Sequence, residues 1–284
     1  MSVTGQGMTG CRDAAAVLAA AVRRLTEAGV DSPRADAEQL AAYVLGVPRG
    51  RLVLAAWSPA DVERFGELVA RRAARAPLQY LVGTVGFRHL GLAVGPGVFV
   101  PRPETESVAE AALGLIAAVS HPRVVDLCTG SGAIALALAQ EQPGAEVLAV
   151  EADPRAAGWA RRNIGATGLP VRLLVGRIED IPADMDGFVD LVVSNPPYVA
   201  DGEALPPEVA RYEPVSALYA GVDGLDALRV VQRVARRLLR PGGSAVVEHG
   251  DRQGPAAADL FAGWDDVVIH QDLAGRDRYV TARR

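Results

Sequence analysis

The tetrapeptide Asn195-Pro196-Pro197-Tyr198 has the residue types most specific for chemistry in this chain. It directly follows the apolar run Val189–Ser194, so it is predicted to lie at the end of a strand. The amide carbonyl of Asn195 and the backbone carbonyl of Pro196 can each accept one N–H from a planar NH2 group. Two consecutive prolines fix φ at about −65° and add no competing N–H, while Tyr198 offers a flat face. The motif therefore predicts a site that holds an amide or an exocyclic amine.

Such a nitrogen is a weak nucleophile, because its lone pair is delocalised into the neighbouring π system. No side-chain base can usefully deprotonate it near neutral pH, so the site must work by positioning. We expect Asn195 and Pro196 to hold the nitrogen and Tyr198 to lie against the plane of the substrate, and we assign no catalytic base. The alternative is a turn that only ends a strand, since Asn-Pro is a common loop opener.

A second candidate site is the segment 126–133, Asp-Leu-Cys-Thr-Gly-Ser-Gly-Ala, which follows one predicted strand and opens a predicted helix. Glycines at such a place let a ligand approach the backbone at the helix N-terminus. The third glycine of the dinucleotide fingerprint is missing, because Ala135 stands at its position. The loop therefore favours a nucleoside without a phosphate, and S-adenosylmethionine is the common ligand of that kind.

Three further residues at predicted strand ends need an interpretation. Glu151 lies nineteen residues beyond Gly132, where a carboxylate can accept hydrogen bonds from both ribose hydroxyls; the alternative is a solvated strand end. Cys128 is interpreted as a packing residue, since no basic group is placed to lower its pKa. Glu248-His249-Gly250 is interpreted as a structural strand terminus, with a place in the cleft as the alternative.

Strands and helices alternate along most of the chain. Strands are predicted near residues 124–127, 146–150, 171–175, 189–194 and 244–248. This alternation predicts an α/β fold with a parallel, doubly wound, Rossmann-like sheet. At the end of the chain, Val267–His270 and Arg278–Thr281 have no helix between them. They predict an antiparallel hairpin at one edge, which is typical of class I methyltransferase sheets.

The first part of the chain is predicted to be a separate domain. Residues 11–76 contain three helical patterns, the third opening with the capping-box spacing Ser58-Pro59-Ala60-Asp61. We expect a small all-α bundle that recognises the substrate. Residues 1–10 are predicted to be a disordered tail, residues 77–103 a stiff connector with a β-hairpin, and residues 104–284 the S-adenosylmethionine-dependent methyltransferase domain.

Charge is distributed unevenly, and all 29 basic residues are arginine. Residues 1–76 carry ten Arg against eight Asp and Glu, and the remainder carries 19 against 26, so net charges of +2 and −7 sum to −5. The acidic half argues against direct nucleic-acid binding. The basic half, including Arg71, Arg72 and Arg75, suits an acidic protein partner.

Composition also limits the other kinds of site. The longest apolar run, Ala14–Val22, is too short for a membrane span. We therefore expect a cytoplasmic protein that does not bind membranes. The two cysteines and four histidines are scattered, so we expect no metal site and no disulfide framework.

The motifs together resemble the release-factor glutamine methyltransferases, the HemK/PrmC family. The resemblance covers the chain from Cys11 onward and is most specific at 101–106, Pro-Arg-Pro-Glu-Thr-Glu, within the similar segment 99–106 that begins with Phe99-Val100. It extends to residues 77–81, 126–133, 194–198, 240–243 and 248–250. It implies methylation, by S-adenosylmethionine, of the side-chain amide of the glutamine in the Gly-Gly-Gln motif of class 1 peptide-chain release factors.

The resemblance also implies residue roles. The target amide would be held by Asn195 and Pro196, with Pro197, Tyr198 and Phe99 completing its site. The residues that would bind S-adenosylmethionine are Asp126, Cys128, Thr129, Gly130, Ser131, Gly132, Glu151, Ile178 and Asn195.

Three positions depart from the family pattern. Cys128 stands where glycine is common, and Glu151 stands where aspartate is common. Arg177-Ile178 replaces an acidic residue followed by an aromatic one. Ile178 would then pack on the adenine.

Three alternatives remain open. One is a glutamine methyltransferase for a ribosomal protein, one is an adenine-amino methyltransferase for nucleic acid, and one is a noncatalytic adaptor of translation. The intact tetrapeptide and glycine loop argue against the adaptor. The net charge of −7 on residues 77–284 argues against the nucleic-acid enzyme.

Overall fold

The computed structural model describes residues 9–284, with side chains from Ala14 onward. The prediction of a disordered tail falls outside the described residues for positions 1–8, whereas Thr9 and Gly10 are the first residues of a helix. The chain divides into two compact units, Met1–Gly83 with Pro206–Tyr212, and Thr84–Leu205 with Glu213–Arg284. We refer to them as the helical unit and the sheet unit.

The helical unit contains four helices from the first part of the chain. They are α1 (Thr9–Glu27), α2 (Pro33–Leu45), α3 (Pro59–Ala73) and α4 (Leu78–Val82), with a 3-10 helix at Arg49–Leu54. The capping box is confirmed, because Ser58 Oγ accepts from the Asp61 backbone N–H at 3.2 Å and the Asp61 carboxylate accepts from the Ser58 N–H at 2.9 Å. Leu25, Leu40 and Phe65 are fully buried in the core of this unit.

The sheet unit has a hairpin and a seven-stranded sheet. The hairpin is β1 (Thr84–Phe87) and β2 (Leu90–Ala93); the sheet strands are β3 (Arg123–Leu127), β4 (Glu146–Glu151), β5 (Val171–Val175), β6 (Val189–Ser194), β7 (Leu239–Glu248), β8 (Asp265–Gln271) and β9 (Asp277–Arg283). Their order is β5-β4-β3-β6-β7-β9-β8. The first five are parallel, and β9 is antiparallel to both β7 and β8. The predicted class I methyltransferase fold with an antiparallel edge hairpin is confirmed.

Helices cover both faces of the sheet. They are α5 (Thr105–Ile116), α6 (Ala133–Glu141), α7 (Pro154–Thr167), α9 (Asp226–Leu238) and α10 (Gly254–Leu260). Neighbouring strand residues enter different cores: Leu191 packs with Leu136 on one face, and Val192 packs with Leu228 on the other. Burial on both faces explains why the strand sequences are continuous apolar runs instead of alternating ones. The predicted connector 77–103 is divided, since α4 belongs to the helical unit and the hairpin to the sheet unit.

Helix α8 (Pro207–Tyr212) belongs to the helical unit although it lies between β6 and α9 in sequence. Arg72 and Arg75 donate to the two oxygens of Glu208 at 2.8 and 2.7 Å. Arg72 also donates to Asp36 Oδ2 at 2.7 Å. The expected basic surface is therefore wrong for Arg72 and Arg75, whose charges are satisfied by carboxylates inside the unit; Arg71 is exposed.

Within the described part of the chain, no helix combines the length and the apolarity needed to cross a bilayer.

Candidate active site

The carboxyl ends of three adjacent parallel strands bring most of the predicted site residues together. Strand β3 lies between β4 and β6, with Leu127 opposite both Val150 and Ser194. The loops that follow these strands therefore begin side by side. The strand order runs from β3 to β5 in one direction and to β7 in the other. This is the switch point at which open α/β sheets bind ligands.

Asp126, in the last part of β3, supports the glycine loop. Its Oδ2 accepts the Thr129 hydroxyl at 2.5 Å and the Ala135 backbone N–H at 3.1 Å. The residue is 1% exposed, and Oδ1 has no hydrogen-bond partner among the described residues. Burial raises the pKa of Asp126 to about 7, against the opposing effect of those two hydrogen bonds. The hydrogen bonds of this carboxyl are thus with the glycine loop and the first turn of α6.

The two glycines of the loop serve different purposes. Gly130 has φ +60°, and no atom lies within 4 Å of the place where a Cβ would stand. That open space is available to a ligand. Gly132 has φ +86°, and a Cβ there would come within 3.7 Å of the Ala160 backbone on α7. This is an ordinary contact distance, so it is the positive φ of Gly132, and not a lack of space, that favours glycine there.

Cys128 adopts a left-handed backbone conformation, with φ +62°. A residue with a Cβ pays roughly 1–2 kcal/mol for this conformation, which explains why glycine is favoured at the position. Burial raises the pKa of the Cys128 thiol to about 12. The thiol is therefore protonated at neutral pH, in agreement with the interpretation of Cys128 as a packing residue.

Glu151 joins two loops at the end of β4. Its Oε2 accepts the Gly130 N–H at 2.8 Å, and its Oε1 accepts the Asp153 N–H at 2.9 Å. Burial raises the pKa of Glu151, whereas these backbone donors lower it. Each carboxylate oxygen keeps further acceptor capacity, so ribose hydroxyls can bind without displacing either backbone contact.

Asn163 is a buried residue of the site that the sequence interpretation missed. From α7 its Nδ2 donates to the backbone oxygens of Ser131 at 2.9 Å and Ala93 at 3.0 Å. Its Oδ1 accepts the Ala93 N–H at 2.8 Å. This one amide fixes the glycine loop against the hairpin strand β2. The sequence signal is only a polar residue inside a predicted helix.

Asn195 begins the loop after β6, beside the glycine loop. Its Nδ2 donates to Thr105 Oγ1 at 3.1 Å. The preceding residue, Ser194, donates its hydroxyl to the Leu127 backbone oxygen at 2.6 Å. Because the NH2 group of Asn195 is used by Thr105, its C=O is left to accept an N–H. Pro196 is buried, and Pro197 is partly exposed.

Tyr198 contacts the end of β7. Its hydroxyl lies 3.4 Å from Glu248 Oε1, and its backbone oxygen accepts Gln253 Nε2 at 3.0 Å. Glu248 is 1% exposed. Burial raises the pKa of Glu248 to about 7, opposed by the Thr105 hydroxyl and the charge of Arg278. The strand terminus therefore touches the tetrapeptide.

Phe99 is placed by an arginine that the sequence interpretation left without a role. The Arg102 guanidinium lies 4.7 Å from the centroid of the Phe99 ring and donates to Glu213 Oε1 at 2.5 Å. Burial raises the pKa of Glu213, and Arg102 opposes that effect. The arrangement holds Phe99 by a cation–π contact.

Ile178 lies in a 3-10 helix after β5. It is 8% exposed and packs in the core with Leu127 and Val150. Arg177 is paired with Glu179 at 3.0 Å. Only a small part of the Ile178 side chain is accessible to a ligand.

Comparison with known proteins agrees with this geometry. Residues 16–83 match the PrmC N-terminal domain, and residues 92–211 match the methyltransferase small domain. The chain is 52% identical over 276 residues to the release factor glutamine methyltransferase of Streptomyces coelicolor, covering 95% of this chain and 97% of that protein. It is 48% identical over 272 residues to the protein of the same name from Mycolicibacterium smegmatis, covering 93% and 95%. The chain belongs to the release factor glutamine methyltransferase family.

Solved structures support the fold of this release factor glutamine methyltransferase family member. The hMettl16 catalytic domain in complex with MAT2A 3'UTR hairpin 1 has a TM-score of 0.55 at 17% identity, covering 76% of this chain and 80% of that chain. The Thermus thermophilus 16S rRNA N2 G1207 methyltransferase in complex with AdoMet and guanosine has a TM-score of 0.50 at 21% identity, covering 71% and 49%. These two structures show the fold, and the family resemblance found in the sequence is confirmed by the relatives at 52% and 48% identity.

As a member of the release factor glutamine methyltransferase family, the protein is an enzyme that uses S-adenosylmethionine. The site fits that ligand in two respects. Gly130 opens onto free space, and the carboxylate of Glu151 lies beside it. Neither feature requires a phosphate group.

Proposed function

We propose that the enzyme methylates the side-chain amide nitrogen of the glutamine in the Gly-Gly-Gln motif of class 1 peptide-chain release factors. The names of its relatives support a release factor and a glutamine as the target. The observation that carries the proposal is the hydrogen bond from Asn195 Nδ2 to Thr105. It leaves the Asn195 carbonyl as an acceptor for one N–H of a substrate amide.

The proposed chemistry depends on orientation. The amide carbonyl of Asn195 and the backbone carbonyl of Pro196 accept the two N–H groups of the glutamine, and the flat faces of Tyr198 and Phe99 enclose its amide plane. Bound S-adenosylmethionine supplies an electrophilic methyl group on sulfur. The glutamine nitrogen forms the new N–C bond while the S–C bond breaks with its electron pair on sulfur, and the surplus proton passes from nitrogen to water. S-adenosylhomocysteine leaves.

The cofactor side of the proposal uses the glycine loop and the end of β4. Glu151 accepts hydrogen bonds from the ribose hydroxyls, and the backbone around Gly130 contacts the nucleoside. Ile178 contributes its small exposed surface to the adenine. Asp126, Thr129 and Ser131 act by fixing the loop, because their described contacts run to one another or to buried neighbours.

The substrate is tested by labelling. A cell extract is incubated with the enzyme and S-adenosylmethionine labelled in the methyl group, and protein and nucleic-acid fractions are counted separately. The proposal expects label in protein and in a band whose mass spectrum identifies a class 1 release factor. Label in a ribosomal protein or in nucleic acid would replace this proposal by the corresponding alternative.

We also propose that the helical unit recognises the folded release factor, because a site for one planar amide does not discriminate among glutamines. The exposed side chains available for this role include Arg71 and the pair Val53 and Leu54, which are 75% and 84% exposed. The enzyme should therefore prefer intact factor over a short Gly-Gly-Gln peptide.

A surface variant and a matched control test the recognition role in the full-length protein. Leu54→Asp should lower kcat/KM on intact factor and leave the rate on the peptide unchanged. Leu273→Asp changes another exposed leucine, in the turn between β8 and β9. It should change neither kcat/KM on intact factor nor the rate on the peptide. Equal kcat/KM values for Leu54→Asp and the wild type on intact factor would exclude Leu54 from the recognition surface.

A further inference from the structure

One face of helix α7 contacts the chain that leads from β2 to Phe99. Arg155, Trp159 and Asn163 are spaced four residues apart on α7, so their side chains lie on the same side of the helix. All three lie against residues 93–98, which we call the lead segment. Phe99 follows the lead segment directly. The contacts along this face therefore fix the backbone that precedes Phe99.

Asn163 holds the start of the lead segment with a buried side-chain amide. It is 2% exposed, and its Oδ1 accepts the Ala93 N–H at 2.8 Å while its Nδ2 donates to the Ala93 oxygen at 3.0 Å. A neighbouring strand would bond Ala93 in the same way. Nδ2 also donates to the Ser131 oxygen in the glycine loop at 2.9 Å. Both hydrogens of the amide are thus used, and each partner is a backbone group.

Trp159 holds the middle of the lead segment. Its indole Nε1 donates to the Pro96 oxygen at 3.3 Å. A Cβ at Gly95 would lie 2.5 Å from the Trp159 ring, so only glycine allows the ring to come this close. Val98, the last residue of the lead segment, is fully buried and packs with Ala156 on the same helix. The lead segment is therefore fixed on α7 from its first residue to its last.

The bond from Asn163 to Ser131 joins this face of α7 to the cofactor side of the site. Ser131 lies in the glycine loop next to Gly130, whose N–H is held by Glu151. Phe99 lies on the amide side, where it is proposed to enclose the glutamine amide. Methyl transfer needs reacting atoms about 3 to 3.5 Å apart, and a misplacement of about 1 Å can slow a reaction about 100-fold. A helix that contacts both the glycine loop and the lead segment can set that separation.

We propose that Asn163 and Trp159 are positioning residues for methyl transfer, which fix Phe99 relative to the glycine loop by holding the lead segment on α7. Their effect on turnover rests on the proposed function, because Phe99 is assigned there to the substrate amide. The fixing of the lead segment itself is independent of the substrate. Neither residue is assigned a contact with a reacting atom.

Asn163→Leu removes the amide and keeps a side chain of similar size. Turnover on release factor is measured in the full-length protein, together with the Kd for S-adenosylmethionine. The variant should lower kcat by about 10- to 100-fold and raise that Kd by no more than about fivefold. Gln142→Leu, which removes another side-chain amide bonded to a backbone oxygen, is the matched control and should retain wild-type kcat. A wild-type kcat for folded Asn163→Leu, or a Kd raised as far as kcat is lowered, would overturn the role of Asn163.

Trp159→Phe tests the same face with a smaller change, and it decides the matter if Asn163→Leu does not fold. It keeps an aromatic ring, removes the N–H bonded to Pro96 and should lower kcat by about 3- to 10-fold. Trp264→Phe removes an indole N–H that has no hydrogen-bond partner among the described residues and should retain wild-type kcat. Because Trp159 acts through Phe99, Trp159→Phe should add little to the loss in Phe99→Ala. Losses that multiply would overturn the proposed role, as would a wild-type kcat for Trp159→Phe.

Hydrogen exchange of the free enzyme tests the fixing of the lead segment without any substrate. In a peptide that covers residues 94–101, amide exchange should be at least about tenfold faster in Asn163→Leu and in Trp159→Phe than in the wild type. Exchange of the same peptide should be unchanged in Gln142→Leu. Wild-type exchange in either variant would overturn the role of that residue even if release factor is the substrate. Faster exchange in both variants, with no methylation of release factor by the wild type, would refute the proposed function and keep the fixing of the lead segment.

Discussion

The cofactor side and the amide side of the site each contain one carboxylic acid buried at the end of a strand. Asp126 receives its hydrogen bonds from Thr129 in the glycine loop and from Ala135 in the first turn of α6, both within ten residues of it. Glu248 has its printed side-chain contact with another segment, since the Tyr198 hydroxyl in the loop after β6 lies 3.4 Å from its Oε1. Burial raises the pKa of both carboxyls to about 7. Both carboxyls are buried. They differ in whether the groups that contact them are close in sequence, as for Asp126, or distant in sequence, as for Glu248.

The cofactor side and the amide side should therefore respond differently to amino-acid substitutions. The bonds of Asp126 stay within β3, the glycine loop and the first turn of α6, and Glu151 and Asn163 hold the same loop from β4 and α7. The amide side exists only when segments near residues 105, 198 and 248 are packed together. Changes on the amide side should therefore affect turnover and leave cofactor binding intact, whereas changes on the cofactor side should do the reverse.

The largest expected effect separates the two sides through Asn195. Asn195→Ala removes the proposed acceptor for the substrate amide and should cost about 2 to 4 kcal/mol of transition-state stabilisation. That corresponds to roughly 30- to 900-fold slower turnover. Methyl transfer measured at saturating S-adenosylmethionine gives the rate, and calorimetry gives the cofactor affinity. Near-normal turnover with a normal melting curve would refute the amide site.

The next effect should appear on the cofactor side. Glu151→Ala removes the proposed ribose acceptor and should weaken S-adenosylmethionine binding by about 1 to 3 kcal/mol while the rate at saturation stays close to wild type. Glu151→Gln retains one carbonyl acceptor, so its affinity for S-adenosylmethionine should lie between that of the wild type and that of Glu151→Ala. Titration calorimetry on all three proteins checks the order. Unchanged affinity in Glu151→Ala would place the ribose contact elsewhere.

The shared environment of the two carboxyls predicts a shared pH dependence. The pKa of Asp126 is about 7 in the folded protein against an ordinary 3.8, so the folded state binds the proton more tightly than the unfolded chain. The resulting stabilisation is fully present below the ordinary value and is lost as pH rises to about 7. Asp126→Asn should therefore gain roughly 2 to 3 kcal/mol relative to wild type between about pH 5 and pH 8.

Denaturant unfolding at the two pH values measures that gain. Glu248→Gln should change in the same direction, since its folded pKa is also raised to about 7. Asp184→Asn, at an exposed carboxylate, is the control and should follow the wild type. A constant stability difference at both pH values for Asp126→Asn would show that this carboxyl is already charged in the folded state.

The smallest effect concerns the strain in the glycine loop. At φ +62° glycine should be preferred over alanine, so Cys128→Gly should be more stable than Cys128→Ala by about 1 kcal/mol. At a position with negative φ, the alanine variant would be the more stable of the two. Thermal melting of the two variants decides. If the alanine variant is the more stable one, the left-handed conformation does not strain the loop.

The sequence predicted those parts whose causes are local. The capping box at Ser58, the glycine loop after β3 and the tetrapeptide after β6 each depend on neighbouring residues. The order of strands and helices follows from the hydrophobic pattern, and the observed fold agrees with it. Even the edge hairpin β8–β9 is a contact between adjacent segments.

The missed features all join distant segments. Asn163 fixes the glycine loop to β2, and Glu208 places the charges of Arg72 and Arg75 inside the helical unit. A single sequence contains no mark of such pairs, since an arginine that will be buried in an ion pair looks like one that will face solvent. The expectation of a basic surface at Arg72 and Arg75 failed for this reason.

The position of the transferred methyl group tests the proposed amide site most directly. Purified release factor is incubated with the enzyme and S-adenosylmethionine, and the peptide that contains the Gly-Gly-Gln motif is fragmented in a mass spectrometer. One methyl group is expected on the side-chain nitrogen of that glutamine, and at equal enzyme concentration and a reaction time within the initial rate Asn195→Ala should give a far smaller methylated fraction. A methyl group on any other residue of the factor, or an equally methylated glutamine with Asn195→Ala, would contradict the proposed amide site.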